Sequence, residues 1–196
     1  MNKKIGIFGG SFNPVHLGHL IFAQEALEQI HLDKVVFIPA YHPPHKESAE
    51  LADCYDRLSM VREAILDNSG FEASDTEIQR RGCSYTIDTI RELKQKFPPD
   101  TELHLLIGMD MLLDFFNWRE AESLLDLCQF IGAPRPGFPM EQLDPRLLKH
   151  LKIIRMPLIE IAGQDIRKRV KENQGYRYMV PDKVYDYIKN NRIYLK

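Results

Sequence analysis

The sequence predicts an α/β fold in which an open, mostly parallel sheet carries helices on both faces. Three observations carry this reading. Short apolar runs alternate with longer amphipathic stretches along the chain. The first elements read strand, glycine turn, helix, strand, a βαβ unit whose two strands must be parallel. Histidines, aspartates and lysines gather beside glycine and proline just after predicted strands, where open α/β sheets bind ligands.

Residues 5–8 (IGIF) are an apolar run that stops at Gly9 and Gly10, as a buried strand does. From residue 18 to 29, Leu20, Ile21, Ala23, Ala26 and Leu27 recur at helical spacing, which Ile30 extends. Residues 34–39 (KVVFIP) are β-branched, stop at a proline and read as a second strand. The loop AYHPPHKESAE follows. Residues 51–66 predict a helix, with Leu51, Tyr55, Leu58, Val61 and Ile65 on one face. Residues 71–78 predict a strand, 86–97 a helix, and 103–107, 129–133 and 153–156 three further strands. Residues 165–173 and 181–190 predict two closing helices, the second with Pro181 in its first turn. The pattern is a Rossmann-like doubly wound sheet in one domain, residues 1–196, with a small helical C-terminal part from about residue 160. Residues 134–144 (PRPGFPMEQLD) read as a turn-rich flap rather than a domain boundary.

Composition narrows the partners. A hydrophobic content of 44% supports a packed core. The formal net charge of −2 supplies no global field for nucleic acid or an acidic membrane. Cys54, Cys83 and Cys128 form no CxxC or metal-ligand spacing and point to a reducing compartment. The apolar run near the start is too short for a secretory signal, and no stretch approaches the ~20 residues of a membrane span. The expectation is a cytoplasmic protein with neither nucleic acid nor membrane as partner. Oligomeric state stays open, a homodimer included.

The densest chemistry lies in GGSFNPVHLGH, residues 9–19. A glycine turn between strand and helix brings backbone N–H groups to an anion, and the helix N-terminus adds partial positive charge. Pro14 stiffens the turn, and Gly18 leaves space for a bulky ligand. His16 and His19, three apart, can share one side of the first helical turn and donate to phosphate oxygens. A plain structural turn and part of a metal site are the other readings, though no carboxylate or third histidine stands at ligand spacing nearby. The stretch is neither GxGxxG nor a P-loop. Asp110, after the strand ending at Gly108, suits ribose hydroxyls or a helix cap. Thr86 suits an N-cap. Trp118 lies in polar FNWRE rather than in an apolar run, which counts against mere core filling. His45 and Lys46 follow a rigid Pro-Pro turn, and Lys46 suits phosphate or solvent. Arg57 suits a loop brace.

GGSFNPVHLGH matches G-x-F-[DN]-P-x-H-x-G-H and so resembles the HxGH nucleotidyltransferase superfamily. IPAYHPPHK, YDRLSMV, SYTIDT, IGMD, Trp118 and RPG follow in order. Over nearly the whole chain this resembles the bacterial nicotinate-nucleotide adenylyltransferases. The resemblance implies transfer of AMP from ATP to nicotinate mononucleotide, giving deamido-NAD and pyrophosphate, by direct attack without a covalent enzyme intermediate. It implies His16 and His19 as catalytic residues. It implies ATP contacts from Gly9, Gly10, Ser11, Phe12, Gly18, Gly108, Asp110, Ile161 and Arg167. It implies nicotinate mononucleotide contacts from Asn13, His45, Lys46, Ser84, Tyr85, Thr86, Trp118 and Arg135. Mg²⁺ would come with ATP, held mainly by phosphates and water, without a dedicated protein metal cage.

One segment departs from the family. The pattern I-S-S-T-x-I-R-x-R reads here IAGQDIRKR, residues 161–169, with the hydroxyls gone. Each lost charge-assisted hydrogen bond would cost about 1–3 kcal/mol. Gly163 still permits backbone approach, Gln164 or Asp165 could cap the helix, and Asp165 would repel phosphate if it faced inward. The departure keeps two alternatives in view: a weakly catalytic nucleotide sensor, and an enzyme whose acceptor is nicotinamide mononucleotide.

Overall fold

A computed structural model describes residues 2–44, 51–134 and 140–195. The sheet has six strands: β1 (Lys4–Gly10), β2 (Lys34–Pro39), β3 (Phe71–Ala73), β4 (Glu102–Leu106), β5 (Gln129–Gly132) and β6 (Leu151–Ile153). Their order is β3-β2-β1-β4-β5-β6, and all five pairings are parallel. The strand order reverses between β1 and β4. At that point no crossover covers the strand ends, which leaves a crevice outside their C-termini.

The period-2 alternation of side chains divides the core in two. Phe8, Val35, Phe37 and Leu106 point to one face, where they meet α1 (Leu17–Gln29), α2 (Cys54–Ile65), α8 (Gly163–Lys171) and α9 (Asp182–Asn190). Ile5, Ile7, Val36, Ile38, Leu103 and Leu105 point to the other. There they meet α4 (Thr86–Lys96), α6 (Ala121–Leu127) and α7 (Pro145–Leu148). Two short helices, α3 (Thr76–Arg80) and α5 (Met109–Leu113), follow β3 and β4. No helix among the described residues is long and apolar enough to cross a membrane. Cys54, Cys83 and Cys128 are free thiols.

Several elements differ from the sequence reading. The expected strand over residues 71–78 stops at Ala73. The Ser74 hydroxyl lies 2.8 Å from Thr76 Oγ1 and accepts from the Thr76 N–H, a local turn that opens α3 instead. The helix expected over residues 51–66 starts at Cys54, because the Asp53 carboxylate caps it by accepting from the Tyr55 N–H. The strand expected over 153–156 is β6, two residues earlier; the ladder ends where the Ile154 N–H reaches the Gly132 carbonyl. The helix expected over 165–173 is α8, which begins two residues sooner. Helices α5, α6 and α7 have five, seven and four residues, too few to show a helical period.

Buried in β4, His104 is fully enclosed on the side that Leu106 also faces. Burial, then the Lys152 charge, hold its ring below the ordinary value of 6.5, against an opposing pull from Glu102. An unfolded chain therefore takes up a proton that the folded chain refuses, so stability falls as pH drops through 6.5. Urea unfolding midpoints should decline between about pH 7.5 and 5.5, and less steeply in His104→Gln. Identical slopes would show that His104 does not carry the effect.

Candidate active site

The crevice at the switch point has two lobes, of about 770 and 630 Å³. Ser11, His19 and Asp110 line both lobes, which meet at those side chains.

The first lobe is built on the loop from β1 to α1 and on the start of α8. Asn13, His16, Gly18, Gly108, Ile161, Gly163, Gln164 and Arg167 line it. The rings of His16 and His19 stack, with centroids 3.6 Å apart and an angle of 28° between planes. His19 Nδ1 accepts the His16 backbone N–H at 3.1 Å. In the neutral ring this places the proton on Nε2, which makes that atom a donor. Gly18 lines this lobe, and a Cβ there would also lie 3.2 Å from His16 Nδ1, so the glycine makes room for the histidine ring as well. The N-termini of α1 and α8 both open into this lobe, and Arg167 adds a full positive charge.

The departing segment 161–169 has a steric explanation. The Arg167 Nη1 donates to the Asn13 carbonyl at 3.0 Å. A Cβ at Gly163 would lie 2.9 Å from that same oxygen. The glycine therefore lets α8 close against the loop where a side chain would collide with backbone. Ala162, not Gln164 or Asp165, occupies the N-cap position of α8. Asp165 is exposed and lines neither lobe. Of the Arg167-Lys168-Arg169 run only Arg167 lines the lobe; Arg169 donates to the Gly175 carbonyl instead.

The second lobe lies against the start of α4. Gly9, Gly10, Ser84, Tyr85, Thr86 and Trp118 line it. Tyr85, not Thr86, holds the N-cap position, and Thr86 is the first helical residue. The α4 N-terminus thus faces the lobe with donor N–H groups and a positive dipole end. Trp118 lines the lobe and meets Phe115, with ring centroids 5.7 Å apart and planes tilted by 51°. The Arg119 guanidinium sits 4.7 Å above the Tyr85 ring.

Ser11 lines both lobes. Gly9 and Gly10, grouped with the ATP set, line the second lobe, and Asn13, grouped with the acceptor set, lines the first. Phe12 lines neither: its ring is 1% exposed, packs in the core, and backs His19 edge-on at 5.1 Å. A Cβ at Gly108 would stand 2.6 Å from Asp110 Oδ1, so a side chain there would push that carboxylate aside. The helix-cap reading of Asp110 fails, since Gly108 is the N-cap of α5. His45, Lys46 and Arg135 lie outside the described residues.

Arg57, 1% exposed, braces the loops as expected. Its Nε donates to the Ala52 carbonyl at 3.0 Å, Nη1 to Ser11 at 2.8 Å and Nη2 to Tyr41 at 3.2 Å. Burial pulls its pKa down, while Cys54, Tyr194, Asp53 and Glu77 nearby oppose the shift. Sequence reasoning passed over Glu77, a buried carboxylate in the second lobe. It accepts from the Thr89 hydroxyl at 2.6 Å and is hydrogen-bonded by Ser84, whose Oγ in turn accepts the Tyr41 N–H at 2.9 Å. Burial holds its carboxyl above the ordinary range, against the pull of those hydroxyls and Arg80. The signal in the sequence is slight: one glutamate on a five-residue helix.

An all-parallel sheet with a two-lobed, donor-rich cleft at its switch point defines a nucleotide-binding α/β protein. A family model described as cytidylyltransferase-like matches residues 7–189, and the chain belongs to that family. It is 45% identical over 199 residues to a probable nicotinate-nucleotide adenylyltransferase of Desulfitobacterium hafniense, covering 98% of this chain and 96% of the relative. It is 42% identical over 192 residues to the nicotinate-nucleotide adenylyltransferase of Bacillus subtilis, covering 98% of each. The fold superposes on Plasmodium falciparum nicotinic acid mononucleotide adenylyltransferase complexed with NaAD, with a TM-score of 0.82, 22% identity and 98% of both chains covered.

Because the Asn13 carbonyl cannot retreat without moving the loop, Gly163→Ala should lower the unfolding free energy by about 1–3 kcal/mol. It should also weaken binding of a nucleoside triphosphate in calorimetry. Wild-type values for both would show that α8 does not need to close on the loop.

Proposed function

We propose that this chain transfers the adenylyl group of ATP to nicotinate mononucleotide, releasing pyrophosphate and forming deamido-NAD in NAD biosynthesis. The observation that carries the reading is the meeting of two anion-accepting lobes at Ser11, His19 and Asp110. The full-length relatives from Desulfitobacterium hafniense and Bacillus subtilis support the choice of substrates.

The first lobe takes ATP. Two helix N-termini, Arg167 and the His19 Nε2–H surround its phosphates, and Asp110 accepts from ribose hydroxyls. The second lobe takes the acceptor. The α4 N-terminus receives the nicotinate carboxylate, and the Trp118 face stacks on the pyridine ring. The acceptor's 5′-phosphate then lies in line with the α-phosphorus of ATP. It attacks as pyrophosphate leaves, and the protein supplies position and charge stabilisation rather than a nucleophile. His16 and His19 donate to oxygens whose negative charge grows in the transition state. Among the described residues no three His, Cys, Asp or Glu side chains group to hold a metal ion. A Mg²⁺ brought by ATP would be held mainly by phosphate oxygens and water and would neutralise phosphate charge.

Purified protein with ATP and Mg²⁺ should release pyrophosphate faster with nicotinate mononucleotide than with nicotinamide mononucleotide. His19→Ala should lose about 100-fold or more in kcat. Trp118→Ala should raise the acceptor KM up to about tenfold while leaving the ATP KM nearly unchanged. ATP binding without release would identify a sensor. Release only with the amide would reassign the acceptor.

A further inference from the structure

The chain's last described residues return to the site. After α9, the Ile193 N–H closes on the Ile188 carbonyl at 3.0 Å. Arg192 and Tyr194 both adopt left-handed backbone, with φ of 53° and 68°. The bond from Ile193 closes α9 around Arg192, as helix ends commonly do. Beyond that turn the Tyr194 side chain ties the segment down. Its hydroxyl donates to Asn13 Oδ1 at 2.9 Å, across 181 residues of sequence.

Asn13 is the point where distant parts of the fold grip the loop between β1 and α1. Its Oδ1 also accepts the Ala52 N–H at 3.0 Å. Its backbone carbonyl accepts from Arg167. The adjoining Ser11 carbonyl accepts from Arg57. Burial raises the Tyr194 pKa, while the nearby charges of Arg167 and Arg57 pull it back, so the hydroxyl remains a donor at neutral pH. Asn13 precedes His16 by three residues, and the intervening Pro14 and Val15 are both buried, which leaves the turn no slack.

We propose that Tyr194 is a positioning residue for the ATP lobe: the C-terminal tail latches Asn13 and so fixes the loop that presents His16 and His19. This rests on the adenylyltransferase reading. It predicts that nucleotide affinity depends on a hydroxyl that itself lines neither lobe.

The test is Tyr194→Phe in the full chain, which keeps the ring and removes one donor. ATP affinity, measured by calorimetry without acceptor, should weaken about three- to tenfold. In turnover the ATP KM should rise by a similar factor, and the acceptor KM should stay within about twofold of wild type. In an Asn13→Ala background the same change should have little further effect, because Tyr194 acts through Asn13. A general loosening of the fold would instead raise both KM values together and add fully to Asn13→Ala. That result, or unchanged ATP affinity in Tyr194→Phe, would overturn the proposal. Calorimetry with ATP alone needs no turnover, so it tests the latch even if nicotinate mononucleotide proves not to be the acceptor.

Discussion

The cleft takes its shape from one buried cation. Arg57 lies in the core, and its three nitrogens donate to three backbone carbonyls, one in the loop after β1 and two in the connection from β2 to α2, rather than to a carboxylate. Burying an arginine is costly unless its donors are satisfied, so the arrangement of those carbonyls is not free to drift. Ser11 belongs to the loop after β1, Tyr41 to the loop after β2, and Ala52 to the approach to α2. One guanidinium thereby sets the loop after β1 against those that follow it. Removing it would leave three carbonyls unpaired in the interior, a larger loss than one hydrogen bond.

Around that fixed point each lobe receives its own polarity. The first faces two helix N-termini and Arg167, which suits a polyphosphate. The second faces one helix N-terminus, a tryptophan and a hydroxyl network around Glu77, which suits a ring bearing one acidic group. The net charge of the chain is −2, so attraction for two anionic substrates is supplied locally. His19 sits where the lobes join, with its tautomer set by its own helix: the N-cap N–H of His16 occupies Nδ1, which in the neutral ring puts the proton on Nε2. A separate carboxylate to orient the ring is not needed for that purpose.

Much of this was legible in the sequence. β1, β2, α1, α4 and α9 carry strong periods and punctuation, and the glycine–histidine motif marks the switch point. Short elements were not legible: α5, α6 and α7 lack the length to display a period, and β3 is cut off by a serine hydroxyl that periodicity does not weigh. Site contacts spanning great separations were equally hidden. Nothing local marks Tyr194 as a neighbour of Asn13, or Glu77 as the centre of a buried hydroxyl network. The altered segment 161–169 looked like a loss of phosphate-binding hydroxyls. The fold adds a steric side: Gly163 occupies a place where a Cβ would strike the Asn13 carbonyl.

The central claim is that the cleft acts by aligning two substrates, not by passing the adenylyl group through the protein. Stereochemistry at phosphorus tests it most directly. With ATP carrying a chiral thiophosphate at the α-position, and nicotinate mononucleotide as acceptor, the configuration of the dinucleotide product can be read by phosphorus NMR. A single in-line displacement inverts that centre. Retention would mean two displacements through a covalent adenylyl-protein, with a histidine of the cleft as the first nucleophile to examine, and would contradict direct transfer.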